Sequence, residues 1–131
     1  FLTIRESLNS MRQTDWGRVI TIASIAGVRG LKGGAAYSAS KHGMIGLTRS
    51  LAEDFLGTNY TFNAICPGFI ATDITAGKLT DEMRAQVLAG IPMGRAGTAD
   101  DVAGCALFLA SDLSSYCTGT EVDVNGGSLI H

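Results

Sequence analysis

The sequence predicts an α/β protein: a small parallel sheet of about three strands with flanking helices. Three observations point there. Short runs rich in β-branched residues, "GRVITIAS" (17–24) and "YTFNAICPG" (60–68), are separated by helical patterns long enough to cross from one strand to the next. Glycine occurs 17 times and proline only twice, which suits tight strand-to-helix turns and not a low-complexity tail. At 131 residues and 46% hydrophobic content, the chain can build one domain with a core.

Each element has its own signal. Phe1, Ile4, Leu8 and Met11 recur at helical spacing, with no visible N-cap before them. The chain opens on Phe, so the helix is expected to be already under way at residue 1 and the polypeptide to be longer than these residues. "GRVITIAS" (17–24) reads as a buried strand entered through Gly17, and "GVRGLKGGA" (27–35) as a glycine-rich loop. A long helix over about 36–56 follows, with Met44, Leu47, Leu51 and Phe55 as its apolar stripe. The second strand, 60–68, is stopped by Pro67-Gly68. Thr80, ahead of Asp81 and Glu82, is a natural N-cap for a short helix that "IPMGRAG" (91–97) breaks. Thr98 with Asp101 makes a start of capping-box type for another helix, whose Val102, Cys105, Ala106 and Leu109 face the core. "GTEVDVNGG" (119–127) is the third strand. A three-stranded parallel sheet leaves one edge open, a second reason to expect a partner segment.

Composition excludes several function classes. Ten scattered Lys and Arg and a net charge of −2 argue against a nucleic-acid surface. No run of eighteen apolar residues suggests a membrane span, and the first ten residues are too polar for a signal peptide, so a cytoplasmic protein is expected. Cys66, Cys105 and Cys117 lack metal-ligand spacing and read as buried or half-buried thiols of a reducing compartment. His42 and His131 are far apart, and no metal site is expected.

The chemistry gathers around "YSASKHG" (37–43). Tyr37 and Lys41 at i and i+4 share one helix face. An ammonium ~4.5 Å from a phenolate oxygen, at an effective dielectric of ~20, favours the charged form by roughly 3.7 kcal/mol. Desolvation works against that gain. Tyr37 then becomes a candidate general acid or base near neutrality. Alone, a Tyr-x-x-x-Lys spacing is a weak signal, and an aromatic packed beside a lysine stem is the better explanation of an isolated match. The surroundings strengthen it. Ser24 sits at the carboxyl end of the first strand and Pro67-Gly68 at that of the second, with Ile70 and Thr72 close behind. Ligands of open α/β sheets bind in that position.

These motifs, "VITIAS", "YSASK", "NAICPGFIATD" and "FLASDLSSYCTGTEVDVNGG", resemble in order the C-terminal half of the short-chain dehydrogenase/reductase family. "PGFIATDIT" and "IPMGRAG" are most similar to 3-oxoacyl-[acyl-carrier-protein] reductases, and sugar, polyol and steroid dehydrogenases share much of the wording. The resemblance implies half of a Rossmann-like doubly wound sheet, with residues 1–131 forming a partial oxidoreductase domain whose N-terminal cofactor-binding half lies upstream. It implies NADP or NAD as cofactor, with NADP favoured, and a small-molecule or acyl-carrier-bound carbonyl substrate. It also implies a homotetramer assembled through the 36–56 and 98–110 helices and the last strand. Tyr37 would protonate the substrate oxygen, Lys41 would support Tyr37 and hold the cofactor ribose, and Ser24 would orient the carbonyl. Pro67 and Gly68 would shape the nicotinamide pocket, and Ile70 and Thr72 would contact the carboxamide and phosphate region.

Departures from the family pattern matter too. Gly27, Gly30 and Gly33 are spaced three and three, whereas the dinucleotide fingerprint needs two and three, so the 27–35 loop reads either as a flexible lip of the substrate pocket or as an ordinary turn. Two other classes stay open. Ser38 to Lys41 also matches the S-x-x-K of serine acyltransferases, without the S-D-N and K-T-G partners that chemistry needs. The second is a non-catalytic truncated or oligomerisation module.

Overall fold

The computed structural model describes residues 1–77 and 79–131. Its elements run α1 (Leu2–Met11), β1 (Gly17–Ile22), α2 (Ala35–Asp54), β2 (Tyr60–Pro67), α3 (Asp73–Ala76), α4 (Asp81–Ala89), α5 (Ala99–Ala110) and β3 (Glu121–Val124). Among the described residues the strands form one parallel sheet in the order β1-β2-β3. Gly17 pairs with Tyr60 and the register continues to Ile22 with Ile65, while Ala64 to Pro67 pair with Glu121 to Val124. The expected α/β class with flanking helices is what the chain adopts.

The strands are shorter than their apolar runs. Ser24 leaves β1 to cap a 3-10 turn over 25–27. Gly119 and Gly126, at φ 71° and 63°, bound β3 with backbone that no strand can use.

β2 is the centre of the core. Phe62, Asn63, Ala64, Ile65 and Cys66 are fully buried, which accounts for a run of apolar residues where a one-sided strand would alternate. Tyr60 and Phe62 pack with Leu8 of α1 and Ala52 of α2, and the Phe55 ring lies 5.7 Å from Tyr60 and 5.1 Å from Phe62. Further along, Ala64 and Cys66 meet Ala23 and Ile45. The alternate residues Thr61, Asn63 and Ile65 face the side covered by α5, which touches all three strands and buries Leu109. Asn63 is the polar member of that row, and its amide is satisfied. Nδ2 donates to the Cys117 carbonyl at 2.9 Å, and Oδ1 accepts from the Thr120 N–H at 3.2 Å.

The apolar stripe expected on α2 is rotated. Ser38, Ile45, Thr48 and Ala52 are the buried positions, while Met44, Leu47, Leu51 and Phe55 are half-buried along the flank. The cause is close packing on the sheet, where small side chains let helix and strands approach. Thr48 and Thr21 share a buried hydroxyl hydrogen bond of 2.8 Å between α2 and β1. On α5 the expected inward residues, Val102, Cys105, Ala106 and Leu109, are the half-buried and buried ones.

Two helix starts follow the sequence signals. Thr80 Oγ1 accepts from the Met83 N–H at 3.2 Å. Thr98 Oγ1 accepts from the Asp101 N–H at 3.2 Å, and Asp101 Oδ2 accepts from the Thr98 N–H at 2.7 Å. Arg95 grips the same carboxylate through two bonds of 2.7 and 3.0 Å. That bidentate pair, followed by the Thr98 bonds, holds the Asp101 carboxyl well below the usual carboxylate range. α2 begins differently, behind Gly34, with no side-chain cap. α3 has no counterpart among the elements expected from sequence.

A group whose folded pKa is depressed contributes stability above its unfolded value, here near 3.8, and loses it as pH falls toward the folded one. Asp101→Asn should therefore lower the denaturation midpoint at pH 7, with the gap to wild type closing below about pH 4. Thr98→Ala should cost about 1 kcal/mol through the lost cap. Urea titrations across pH check both, and a pH-independent Asp101→Asn gap would refute the linkage.

Candidate active site

At the carboxyl end of β1 the chain turns sharply at Ser24. Its backbone is extended (φ −178°, ψ 160°), and its Oγ accepts from the Ala26 N–H at 3.1 Å. That bond uses a lone pair, so the hydroxyl proton stays available to an outside acceptor. Ser24 is thus both a turn cap and a poised donor.

Tyr37 lies in the first turn of α2, half exposed at 47%. Lys41, one turn on, places Nζ 5.6 Å from the Tyr37 ring centroid and donates to the Ile22 carbonyl at 2.8 Å. The lysine is anchored to the end of β1, and its charge faces the aromatic ring. Ser38 points the other way: it is buried, and its Oγ accepts from the Leu31 N–H at 3.2 Å. A nucleophilic Ser38 served by Lys41 has no support in this arrangement.

The second wall follows β2. The Gly68 N–H donates to the Val124 carbonyl at 3.0 Å. A Cβ at Gly68 would sit 2.8 Å from the Asn125 Cβ, so only glycine lets this turn lie against β3. Beyond Phe69, Ile70 forms a parallel bridge with Gly97, through bonds of 3.0 Å to the Phe69 carbonyl and 2.8 Å from the Ala71 N–H. The Ile70 carbonyl accepts from Thr75 Oγ1 at 3.1 Å. Exposed Thr72 is the N-cap of α3, its N–H donating to Thr75 Oγ1 at 2.9 Å.

Ser24, Tyr37 and Gly68 line one cleft of about 470 Å³. Lys41, Pro67, Ile70 and Thr72 lie outside its wall: Lys41 lies over the Tyr37 ring, Pro67 ends β2, and Ile70 and Thr72 follow in the loop that leaves it. Sequence reasoning missed much of the opposite wall: Gln86 and Val87 of α4, then Ile91 and Ser128. Arg29 and Leu31 bring the glycine-rich loop to the cleft, as a lip should. Gly27 belongs to the packed base of that loop: a Cβ there would lie 2.8 Å from the Lys41 carbonyl carbon and oxygen. Beneath the cleft, burial pushes the Cys66 thiol up to about 11, helped by the charges of Asp123 and Glu121. Among the described residues no cluster of three His, Cys, Asp or Glu side chains is placed to hold a metal.

A family model described as enoyl-(acyl carrier protein) reductase matches residues 1–128. An uncharacterized short-chain type dehydrogenase/reductase of Sinorhizobium fredii is 48% identical over 93% of this chain and 49% of its own length. A 3-oxoacyl-[acyl-carrier-protein] reductase of Rickettsia felis is 45% identical over 99% of this chain and 54% of its own. Among solved structures, an NAD(P)-dependent gluconate 5-dehydrogenase from Beutenbergia cavernae, crystallised with NADP, superposes with a TM-score of 0.87 at 43% identity. The match covers 92% of this chain and 49% of that one. The chain spans about half the length of the curated relatives it matches.

Two tests follow from the site. Gly27→Ala should force the loop off α2 and destabilise the protein by about 1–3 kcal/mol, read from the denaturation midpoint. An unchanged midpoint would mean that the loop does not bear on Lys41. A raised thiol pKa keeps its stabilising effect below the unfolded value of about 9.0 and loses it as pH rises toward 11. Stability should therefore fall between pH 9 and 11 more steeply in wild type than in Cys66→Ala.

Proposed function

The chain belongs to the short-chain dehydrogenase/reductase family, and from that premise we propose that it carries the proton-handling part of an NAD(P)-dependent oxidoreductase. The reaction is reduction of a ketone, or oxidation of a secondary alcohol in reverse, most like that of a 3-oxoacyl-[acyl-carrier-protein] reductase. Sugar, polyol and steroid dehydrogenases are the alternatives within the family. The observation that carries the reading is the convergence of Ser24 and Tyr37 on one cleft, with the Lys41 ammonium over the Tyr37 ring.

A bound reduced nicotinamide supplies the hydride that goes to the carbonyl carbon. Negative charge then gathers on the carbonyl oxygen, where the Ser24 hydroxyl donates a hydrogen bond and Tyr37 gives up its proton. The Lys41 ammonium, 5.6 Å from the Tyr37 ring centroid, stands beside the phenolate left behind. Solvent returns the proton through the exposed side of Tyr37.

The residues present fit the nicotinamide–ribose end of such a cofactor. Lys41 uses one of its three donors on Ile22, leaving two for ribose hydroxyls. Among the described residues the Ile70 N–H has no partner, and Thr72 is exposed beside it. No Gly-x-Gly-x-x-Gly loop for a pyrophosphate occurs in the 131 residues. This supports assigning them to the C-terminal half of the oxidoreductase domain, with the dinucleotide loop upstream.

The second reading is a non-catalytic truncated or oligomerisation module. It is favoured by the half-length matches and by Leu107, Phe108, Leu113 and Tyr116, apolar side chains exposed on and just after α5. A homotetramer would cover such a surface. Three free cysteines, one buried and two half-buried, suit a reducing cytoplasm, and no described helix is long and apolar enough to cross a membrane.

Fluorescence titration of the 131-residue chain with NADPH separates the readings, since tight binding contradicts the module. In the full-length protein Tyr37→Phe should abolish turnover and leave cofactor affinity nearly intact, while Lys41→Ala should weaken both. Substantial activity in Tyr37→Phe would remove Tyr37 as the acid.

A further inference from the structure

Taking the ketone-reducing site above as given, we infer that its substrate carries a carboxylate and that Arg29 selects it. Among the described residues Arg29 is the one charged side chain on the wall of the 470 Å³ cleft; the rest is apolar, as at Leu31, Phe69, Val87 and Ile91, or neutral and polar. Among the described residues Arg5, Arg18, Arg49 and Arg95 each face an acidic partner, while Arg12 and Arg84 face none and lie off the cleft wall. Arg29 has none among the described residues. Its position is set by the backbone: the N–H groups of Val28 and Arg29 both donate to the Ile25 carbonyl, at 3.1 and 3.0 Å, one turn after Ser24. The Arg29 backbone is therefore held against the same short turn that Ser24 caps, and the residue lines the cleft.

Apolar walls concentrate the field of a lone cation and make an unpaired anion elsewhere in the cleft costly. A carboxylate meeting a guanidinium forms two parallel charge-assisted bonds, which a neutral ester or amide cannot reproduce. A substrate with its carbonyl at Ser24 and Tyr37 and a carboxylate a few carbons away, a short oxo acid, answers this distribution of charge. A neutral oxoacyl thioester leaves Arg29 unanswered, so within the ketone-reducing reading the charge favours the oxo acid over the acyl-carrier-bound substrate.

The test uses the full-length protein with NADPH and NADH, a series of short oxo acids of increasing length, and their methyl esters. Wild type should favour at least one acid over its ester in kcat/KM. In Arg29→Gln the acid-to-ester ratio should fall about tenfold or more, through KM, and Arg29→Lys should restore part of it. Esters turned over as well as acids, or a ratio that Arg29→Gln leaves alone, would overturn the assignment to Arg29 while sparing the oxidoreductase reading. Turnover of neither acids nor esters, with a 3-oxoacyl thioester or a neutral ketone still reduced, would also overturn the assignment to Arg29; reduction of none of these would overturn the oxidoreductase reading itself.

Discussion

The site depends on one strand being dry on both faces and hydrogen-bonded on both edges. β2 meets β1 on one side and β3 on the other, and its inner residues have no contact with water. A parallel strand in that position cannot slip by a residue without turning Phe62 and Ile65 onto each other's faces. The carboxyl ends of β1 and β2 are therefore held level, and the two loops that leave them, through Ser24 and Gly68, open into the same space. Ser24 and Gly68 stand on turns that leave the sheet, and Tyr37 on the first turn of α2. Their positions are inherited from a core that none of them belongs to.

Much of this was legible locally. Helix caps at Thr80 and Thr98 are three-residue patterns with a local physical cause, and both formed as read. The i, i+4 spacing put Lys41 beside Tyr37, and a strand ending at "IAS" put Ser24 near both. What spacing could not give was the direction of the lysine charge. Its ammonium takes the Ile22 carbonyl and faces the tyrosine ring, a choice made by the end of a strand nineteen residues back.

The misread features are those decided at a distance. On α2 the largest apolar residues were expected inward, but the sheet selects the closest packing, so Thr48 and Ala52 take the inner face and Leu47 and Leu51 the flank. The far wall of the cleft comes from α4 and from the turn after β3, segments about fifty and ninety residues beyond Tyr37. Nothing in their own sequence announces that they will meet it. α3, a single turn begun by Thr72 and Thr75, is too short for any periodicity to reveal.

The threonine pair between β1 and α2 has a consequence of its own. Thr21 and Thr48 bond to each other, Thr48 also donates to the Met44 carbonyl at 2.9 Å, and Thr21 reaches toward the Asn63 carbonyl. Two valines would fill nearly the same volume and would ask nothing about angle. A hydroxyl bond does, because it fails when the helix rolls about its long axis, whereas a methyl contact tolerates the roll. The pair acts as a key in a shaft. It adds little to how firmly α2 is held and much to the heading on which Tyr37 and Lys41 leave it, so aim and strength are separate properties of this core.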